Sequence, residues 1–246
     1  MNTRSVFYQL GDSCSSPENI TLCPLLDFAN HSRVSNVGGS IPTFCAPSDL
    51  AIGAEVHLNY GAHPDCKLFV EYGFVTGADE QAQLDIGPEL KALFERDPLS
   101  EAKTRLLEDN GYWEYVQTFS TCHDYMWMIL LTIQFSEWTL HLTPTPHPSF
   151  RTMSALRCLH LNHAHHFPLW EATIQGLSEV VDTENERRAR ASVEALCLTI
   201  AELAGQQLDD STRWMLGSTR TVRQLWDERR RVAQGVFAAC RRGDEF

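Results

Sequence analysis

The chain has 246 residues, of which 43% are hydrophobic and 21% charged, a composition that excludes a disordered or fibrous protein. Asp and Glu number 32 against 20 Lys and Arg, and the formal net charge of −12 argues against direct binding to a nucleic-acid backbone. The longest apolar run, residues 125–133, is far shorter than the roughly 20 residues that cross a bilayer, so we expect no membrane partner.

The N-terminus and the cysteines both bear on the cellular compartment. No apolar segment typical of a secretory signal peptide follows Met1. The 8 cysteines are widely spaced and form no Cys-x-x-Cys pair, which predicts neither a disulfide framework nor a zinc ribbon. We therefore expect free thiols and a cytoplasmic and/or nuclear location.

Residues 1–84 are predicted to form a first unit of short strands and turns. β-type runs lie at residues 6–8, 43–45 and 56–60, separated by glycines and prolines. A short helix is predicted from Lys67 to Tyr72, and Gly73 is expected to end it.

Residues 85–246 are predicted to form an all-α helical bundle. Short helices are expected at 89–95 and 100–109, a buried helix at 123–140, and another at 149–161 after three prolines. Apolar residues then recur at helical spacing over 193–204 and 222–240, which indicates two further helices with one buried face each. The predicted fold class is therefore α+β, with a small β-rich unit followed by a helical bundle.

Three segments of the first unit carry side chains suited to binding and catalysis: Asp27 with Asn30-His31-Ser32, Glu55 with Tyr60-Gly61, and Leu68 with Tyr72-Gly73-Phe74. Each segment alone has an ordinary structural interpretation, as a polar turn, a strand end and an aromatic anchor at a helix end. Their order and spacing together are more specific than any one of them.

This order and spacing resemble a SET domain, in the branch similar to Rubisco large-subunit methyltransferase. Residues 1–84 resemble the C-terminal part of that domain, and 85–246 resemble the helical substrate-binding domain that follows it. The segment Asn2-Thr3-Arg4 resembles a stretch just upstream in the same family. The resemblance implies methyl transfer from S-adenosylmethionine to a protein side chain, usually the amine of a lysine.

The resemblance also implies a role for each matched residue. Tyr60 is expected to be catalytic and to lie beside the sulfonium of the cofactor and the target nitrogen. Cofactor binding is expected from Arg4, Asn30, His31 and Tyr60. The substrate channel is expected to be lined by Asp27, Tyr72 and Phe74. Because a desolvated channel lowers the pKa of the entering amine, no dedicated general base is required.

One element of the family is absent from this sequence. SET domains carry a Gly-x-Gly motif whose backbone holds the methionine part of the cofactor, but no two of the 14 glycines are separated by a single residue. Two alternatives follow: an incomplete methyltransferase lacking the N-terminal part of its SET domain, or a non-catalytic protein-binding module derived from one. In either case we expect this chain alone to bind the cofactor weakly.

A group of histidines in the second half suggests a different chemistry: His160, His163, His165 and His166. His-x-x-His spacing can ligate a metal ion. However, no cysteine or carboxylate accompanies these residues at a recognised spacing. We therefore expect surface or capping histidines and no metal.

Overall fold

A computed structural model describes residues 5–7, 20–22, 26–40, 43–113, 137–210 and 219–246. The chain divides into two compact units, the first ending at Phe74 and the second beginning at Val75. The division lies before the boundary at residue 84 that the sequence suggested, because Ala82, Leu84 and Ile86 are buried in the core of the second unit.

The described strands of the first unit form three short pairs. Strand β1 (Ser5–Phe7) pairs antiparallel with β2 (Ile20–Leu22), and β4 (Gly38–Ser40) pairs antiparallel with β5 (Thr43–Cys45). The third pair is parallel and joins β3 (Asn30–His31) to β6 (His57–Leu58). Of these pairs, the parallel one brings together two of the segments that carry the predicted site.

Side chains reinforce this short parallel pair. The amide of Asn36 accepts a hydrogen bond from the backbone N–H of His57 at 2.7 Å and donates one to the carbonyl of Glu55 at 2.8 Å. The N–H of Ser32 donates to the carbonyl of Leu58 at 2.9 Å. Residues 32–36 are therefore hydrogen-bonded to residues 55–58, just before Tyr60, although the strand pair itself is only two residues long.

The helix that follows the site begins and ends where local chemistry favours it. Helix α1 (Asp65–Tyr72) follows Pro64 and has Asp65 in its first turn. Gly73 has the left-handed conformation, with φ of 83°, and its N–H donates to the carbonyl of Phe69. The prediction that Gly73 ends this helix is confirmed.

The second unit contains a small antiparallel sheet that the sequence analysis did not predict. Strand β8 (Thr139–His141) lies between β7 (Gln83–Asp85) and β9 (His147–Pro148). The predicted helix at 123–140 falls mostly outside the described residues, but its last two residues belong to β8. They adopt the strand because Leu140 pairs with Leu84 and both side chains are buried.

The rest of the second unit is mainly helical, and the mixed α and β class is confirmed. Its helices are α2 (Gly87–Phe94), α3 (Ser100–Asp109), α4 (Phe150–Leu159), α5 (Phe167–Ile174), α6 (Thr183–Asp209) and α7 (Thr219–Arg242). The side chains of Ser149 and Asp182 cap the N-termini of α4 and α6. No helix among the described residues is both long enough and apolar enough to cross a membrane.

Candidate active site

Tyr60 lies just beyond β6 and folds back against the segment that contains β3. Its backbone N–H donates a hydrogen bond to Nδ1 of His31 at 3.2 Å. Its hydroxyl donates to the backbone carbonyl of Ala29 at 2.7 Å. These two bonds fix both the backbone and the far end of the ring, so the orientation of Tyr60 is determined by residues about 30 positions earlier in the chain.

The rings of His31, Tyr72 and Phe74 pack around that of Tyr60. The ring centroid of Tyr60 lies 4.8 Å from that of Tyr72, 5.2 Å from that of His31 and 6.4 Å from that of Phe74. The rings of His31 and Phe74 are stacked, with centroids 5.6 Å apart. All four side chains are partly exposed. The cluster is therefore a half-open aromatic surface, to which the loop after β6 and the end of α1 both contribute.

Asn30 lies on an exposed part of the same strand pair. Its side-chain Nδ2 donates a hydrogen bond to Oε1 of Glu55, and the other oxygen of Glu55 lies 3.3 Å from Nε2 of His57. Asn30 and His57 are also direct neighbours in the parallel pair. Glu55 thus holds the Asn30 amide in one orientation while leaving the residue accessible.

Two rings of the cluster, those of His31 and Tyr72, have shifted pKa values, and burial is the main cause in both. The pKa of His31 is lowered by burial first and then by Arg33 and His63, against an opposing effect of Asp65. A neutral imidazole is required here, because Nδ1 accepts the hydrogen bond from Tyr60. The pKa of Tyr72 is raised by burial and by the nearby Glu71 and Tyr60, so its hydroxyl stays protonated.

Five of the seven residues named from the sequence are brought together in this way: Asn30, His31, Tyr60, Tyr72 and Phe74. Arg4 lies outside the described residues, and Asp27 is described only by its backbone, in a single 3-10 turn at Leu26–Phe28. Sequence reasoning gave no role to Asn36 or His63. Each is a polar residue within six positions of a residue that the sequence analysis assigned to the site, and the sequence carries no stronger signal for either.

The residues present fit S-adenosylmethionine as a cofactor. Aromatic faces and a hydroxyl oxygen attract a positively charged centre, and the Tyr60 cluster offers both. The exposed amide of Asn30 and the backbone beside it provide donors and acceptors for the polar ends of such a molecule.

The four histidines singled out in the second unit each contact a neighbouring side chain. No group of three or more His, Cys, Asp or Glu side chains within the described ranges is arranged to hold a metal ion. His160 instead hydrogen-bonds through Nε2 to the hydroxyl of Ser192 at 2.7 Å. The rings of His163, His165 and His166 contact one another, at centroid distances between 4.1 and 5.9 Å.

Comparison with known proteins finds relatives over most of the chain. No protein-family model matches it. It is similar to human SET domain-containing protein 4, with 26% identity over 249 residues that cover 94% of this chain and 50% of the human protein. It is also 31% identical over 118 residues to ribosomal lysine N-methyltransferase set11 of Schizosaccharomyces pombe, covering 46% of this chain and 29% of that protein. The chain thus spans about half the length of its human relative.

A solved structure of Rubisco LSMT bound to sinefungin and monomethyllysine covers 99% of this chain and 53% of its own, with a TM-score of 0.47 and 17% identity. The chain is therefore similar over most of its length to a SET domain-containing protein, and over part of its length to a ribosomal lysine methyltransferase.

Proposed function

We propose that this protein transfers a methyl group from S-adenosylmethionine to the side-chain amine of a lysine in a protein substrate, in the cytoplasm and/or the nucleus. The observation that carries the proposal is the fixed orientation of Tyr60 within a half-open aromatic cluster. The relatives named as a SET-domain protein and a ribosomal lysine methyltransferase support the same reaction.

The hydroxyl of Tyr60 can orient the attacking amine. Its proton is committed to the carbonyl of Ala29, so toward an amine the oxygen acts as a hydrogen-bond acceptor. A lone pair can accept a hydrogen bond from a neutral amine and thereby aim the nitrogen. Methyl transfer is an in-line displacement, so alignment of this kind lowers its barrier.

The rings around Tyr60 suit the stem and the charge of a lysine. Tyr72 and Phe74 offer apolar surface to the methylene groups. The same rings favour the positive charge that the amine acquires as it is methylated. Loss of hydration where the amine contacts these rings lowers its pKa, and the amine must be neutral to attack.

S-adenosylmethionine, when bound, supplies the methyl group on a sulfonium cation. Asn30 and His31 are the described residues that we propose to hold it, with Tyr60 next to the reacting centre. Asn30 keeps its amide oriented through Glu55. Neutral His31 carries its proton on Nε2, which leaves one N–H donor directed away from Tyr60.

We propose ribosomal proteins as the first substrates to test. The name of the fission-yeast relative points to the ribosome. The net charge of −12 of this chain is also complementary to a basic protein partner.

The test is transfer of tritium from labelled S-adenosylmethionine to a ribosomal protein fraction, with the full chain as the catalyst. The cofactor should be used at high concentration, because the sequence lacks the Gly-x-Gly motif. We expect labelled methyl-lysine after hydrolysis of the product, and strongly reduced label with Tyr60→Phe. Equal label from the wild-type chain and from Tyr60→Phe, or label found only on histidine, would contradict the proposal.

The absence of Gly-x-Gly favours a second candidate, a non-catalytic protein-binding module. A binding module would retain ribosomal proteins on immobilised chain to the same extent with and without Tyr60→Phe, and it would transfer no label at any cofactor concentration.

A further inference from the structure

The two edges of strand β6 have different partners. On one edge, the carbonyl of Val56 accepts a hydrogen bond from the N–H of Asn30 at 3.2 Å. The carbonyl of Leu58 accepts one from the N–H of Ser32 at 2.9 Å on the same edge. Successive residues of a strand direct their N–H and C=O groups to opposite edges, so those of His57 face away from β3. Among the described strands, none pairs with β6 on that second edge.

Asn36 covers this second edge of β6. Its side-chain Oδ1 accepts a hydrogen bond from the N–H of His57 at 2.7 Å, and its Nδ2 donates one to the carbonyl of Glu55 at 2.8 Å. Its backbone N–H donates to the carbonyl of His57 at 3.3 Å, which also accepts from the hydroxyl of Ser35 at 2.9 Å. Asn36 therefore provides the acceptor and the donors that a neighbouring strand would supply.

A second asparagine continues the connection past the strand. Nδ2 of Asn59 donates a hydrogen bond to the carbonyl of Arg33 at 3.0 Å, and its Oδ1 accepts one from the N–H of Gly61 at 2.8 Å. Residues 33–36 are thus bound to the backbone or side chains of residues on both sides of Tyr60. Asn59 is exposed whereas Asn36 is half-buried, so water competes less with the bonds of Asn36.

We propose that Asn36 is a positioning residue for Tyr60: its amide takes the place of a neighbouring strand and holds β6 where the Tyr60 hydroxyl reaches the carbonyl of Ala29. The proposal rests on the proposed function, in which Tyr60 orients the amine. It assigns a role to a residue outside the expected cofactor and substrate sets.

The path of the chain explains how Asn36 acts on Tyr60. Tyr60 lies three positions after His57, whose N–H and C=O Asn36 binds. Its hydroxyl binds Ala29, which directly precedes β3. The position of β6 relative to β3 therefore decides whether this bond of 2.7 Å can form. The strand pair is only two residues long, so contacts on the second edge of β6 add to what the pair itself provides.

Two substitutions separate hydrogen bonding from packing at position 36. Asn36→Leu keeps a side chain of similar size and loses both the acceptor and the donor. Asn36→Asp keeps the acceptor for the N–H of His57 and loses the donor to Glu55. A positioning role predicts that Asp preserves the wild-type state of Tyr60 better than Leu does, and a packing role predicts the reverse order. Asn162→Leu is the matched control, since it makes the same change at an exposed asparagine of the second unit.

The first readout is the NMR spectrum of the chain labelled with 13C in its tyrosine rings. The chain has 6 tyrosines, and the Tyr60→Phe spectrum identifies the peak of Tyr60 by its loss. Three rings within 6.4 Å make the shift of that peak sensitive to small displacements. We expect a displaced Tyr60 peak in Asn36→Leu, a smaller displacement in Asn36→Asp and a wild-type peak in Asn162→Leu.

The spectra alone can overturn the role of Asn36. An unmoved Tyr60 peak in Asn36→Leu, or a peak displaced less in Asn36→Leu than in Asn36→Asp, would do so. If Asn36→Leu does not fold, Asn36→Asp decides: a displaced Tyr60 peak supports the role, and an unmoved one overturns it.

The second readout is methyl transfer to the ribosomal protein fraction, measured in two backgrounds. We expect Asn36→Leu to lower kcat of the wild-type chain by about fivefold, the factor for one neutral hydrogen bond. In the Tyr60→Phe chain the same change should lower kcat by less than about twofold, because the hydroxyl that Asn36 positions is already absent. Equal losses in both backgrounds would overturn the role. If the wild-type chain transfers no methyl group, the proposed function fails, and the spectra decide the role of Asn36.

Discussion

The hydroxyl of Tyr60 and the carbonyl of Ala29 lie 2.7 Å apart, although 31 residues separate them in the chain. Ala29 is buried and directly precedes β3, whereas Tyr60 follows β6. The bond therefore ties the end of β6 to the buried residue at the start of β3. The proton of the hydroxyl is committed to Ala29, so the phenol oxygen is held in one place and can act toward an amine only as an acceptor. This fixed position is the basis of the first prediction.

Replacement of Tyr60 by Phe should lower methyl transfer by roughly tenfold or more, which corresponds to about 1.4 kcal/mol of barrier. The ring remains, so the aromatic cluster and the fold should persist. The measurement is initial rate with labelled cofactor, together with a thermal melt. Tyr112→Phe is the control, because Tyr112 is a half-buried tyrosine packed on Trp170 in the second unit. Equal rates for both variants would remove Tyr60 from the catalytic residues.

Two glycines with positive φ should respond differently to alanine. Gly73 has φ of 83° and open space around a would-be Cβ, so Gly73→Ala should cost only the backbone strain, about 1 kcal/mol. Gly61→Ala adds a clash, with the new Cβ 2.9 Å from Nε2 of His63. Urea unfolding should therefore show a larger loss of stability for Gly61→Ala than for Gly73→Ala. A larger loss for Gly73→Ala would contradict the close packing of His63.

The ion pair between Arg157 and Glu186 should be important for stability. It joins α4 (Phe150–Leu159) to α6 through two hydrogen bonds of 2.6 and 3.1 Å, and the side chains are only 8% and 15% exposed. Glu186→Gln leaves the buried guanidinium without its carboxylate and should lower the free energy of unfolding by about 3 kcal/mol.

An exposed pair on the same helix provides the matched control for Glu186→Gln. Glu184 binds Arg187 at 2.7 Å and Arg188 at 2.8 Å, and these contacts lower the pKa of Glu184 to about 2. The group is nevertheless solvent-exposed, so Glu184→Gln should leave the urea midpoint nearly unchanged. Similar losses for the two glutamates would mean that burial does not determine the strength of these pairs.

Stability should fall as the pH drops below about 6.5. Burial is the main cause of a lowered pKa in four described histidines: His31, His63, His141 and His160. In this pH range the unfolded chain takes up protons before the folded chain does, so acid favours unfolding. Thermal midpoints should therefore decrease between about pH 7.5 and about pH 5.5.

His160→Gln should weaken this pH dependence. His160 hydrogen-bonds to Ser192, and burial followed by the charges of Arg188 and Lys103 lowers its pKa, against the opposing Asp97. Glutamine retains a hydrogen-bonding group and has no proton to gain. A midpoint that falls as steeply in this variant as in the wild type would show that His160 does not contribute.

Local sequence patterns predicted most helices because helix ends and buried faces are encoded by nearby residues. The apolar stripe that includes Val193, Leu196 and Ile200 is buried along α6, as its spacing indicated. Gly73 ends α1 for a reason that is also local, since its φ is one that other residues rarely adopt. The β-type run predicted at 43–45 is β5, and those at 6–8 and 56–60 overlap β1 and β6. Strands β2, β3 and β4 and all strand partners were not predicted.

The sequence by itself determined which residues are available to the site, through three segments whose order matches a SET domain. Tertiary structure alone decided that β3 and β6 pair in parallel, that the Tyr60 hydroxyl points to Ala29, and that the His63 imidazole packs on Gly61. It also decided that Leu140 lies in a strand. These features depend on contacts between residues far apart in the chain or on the path of a single turn, and a local pattern specifies neither.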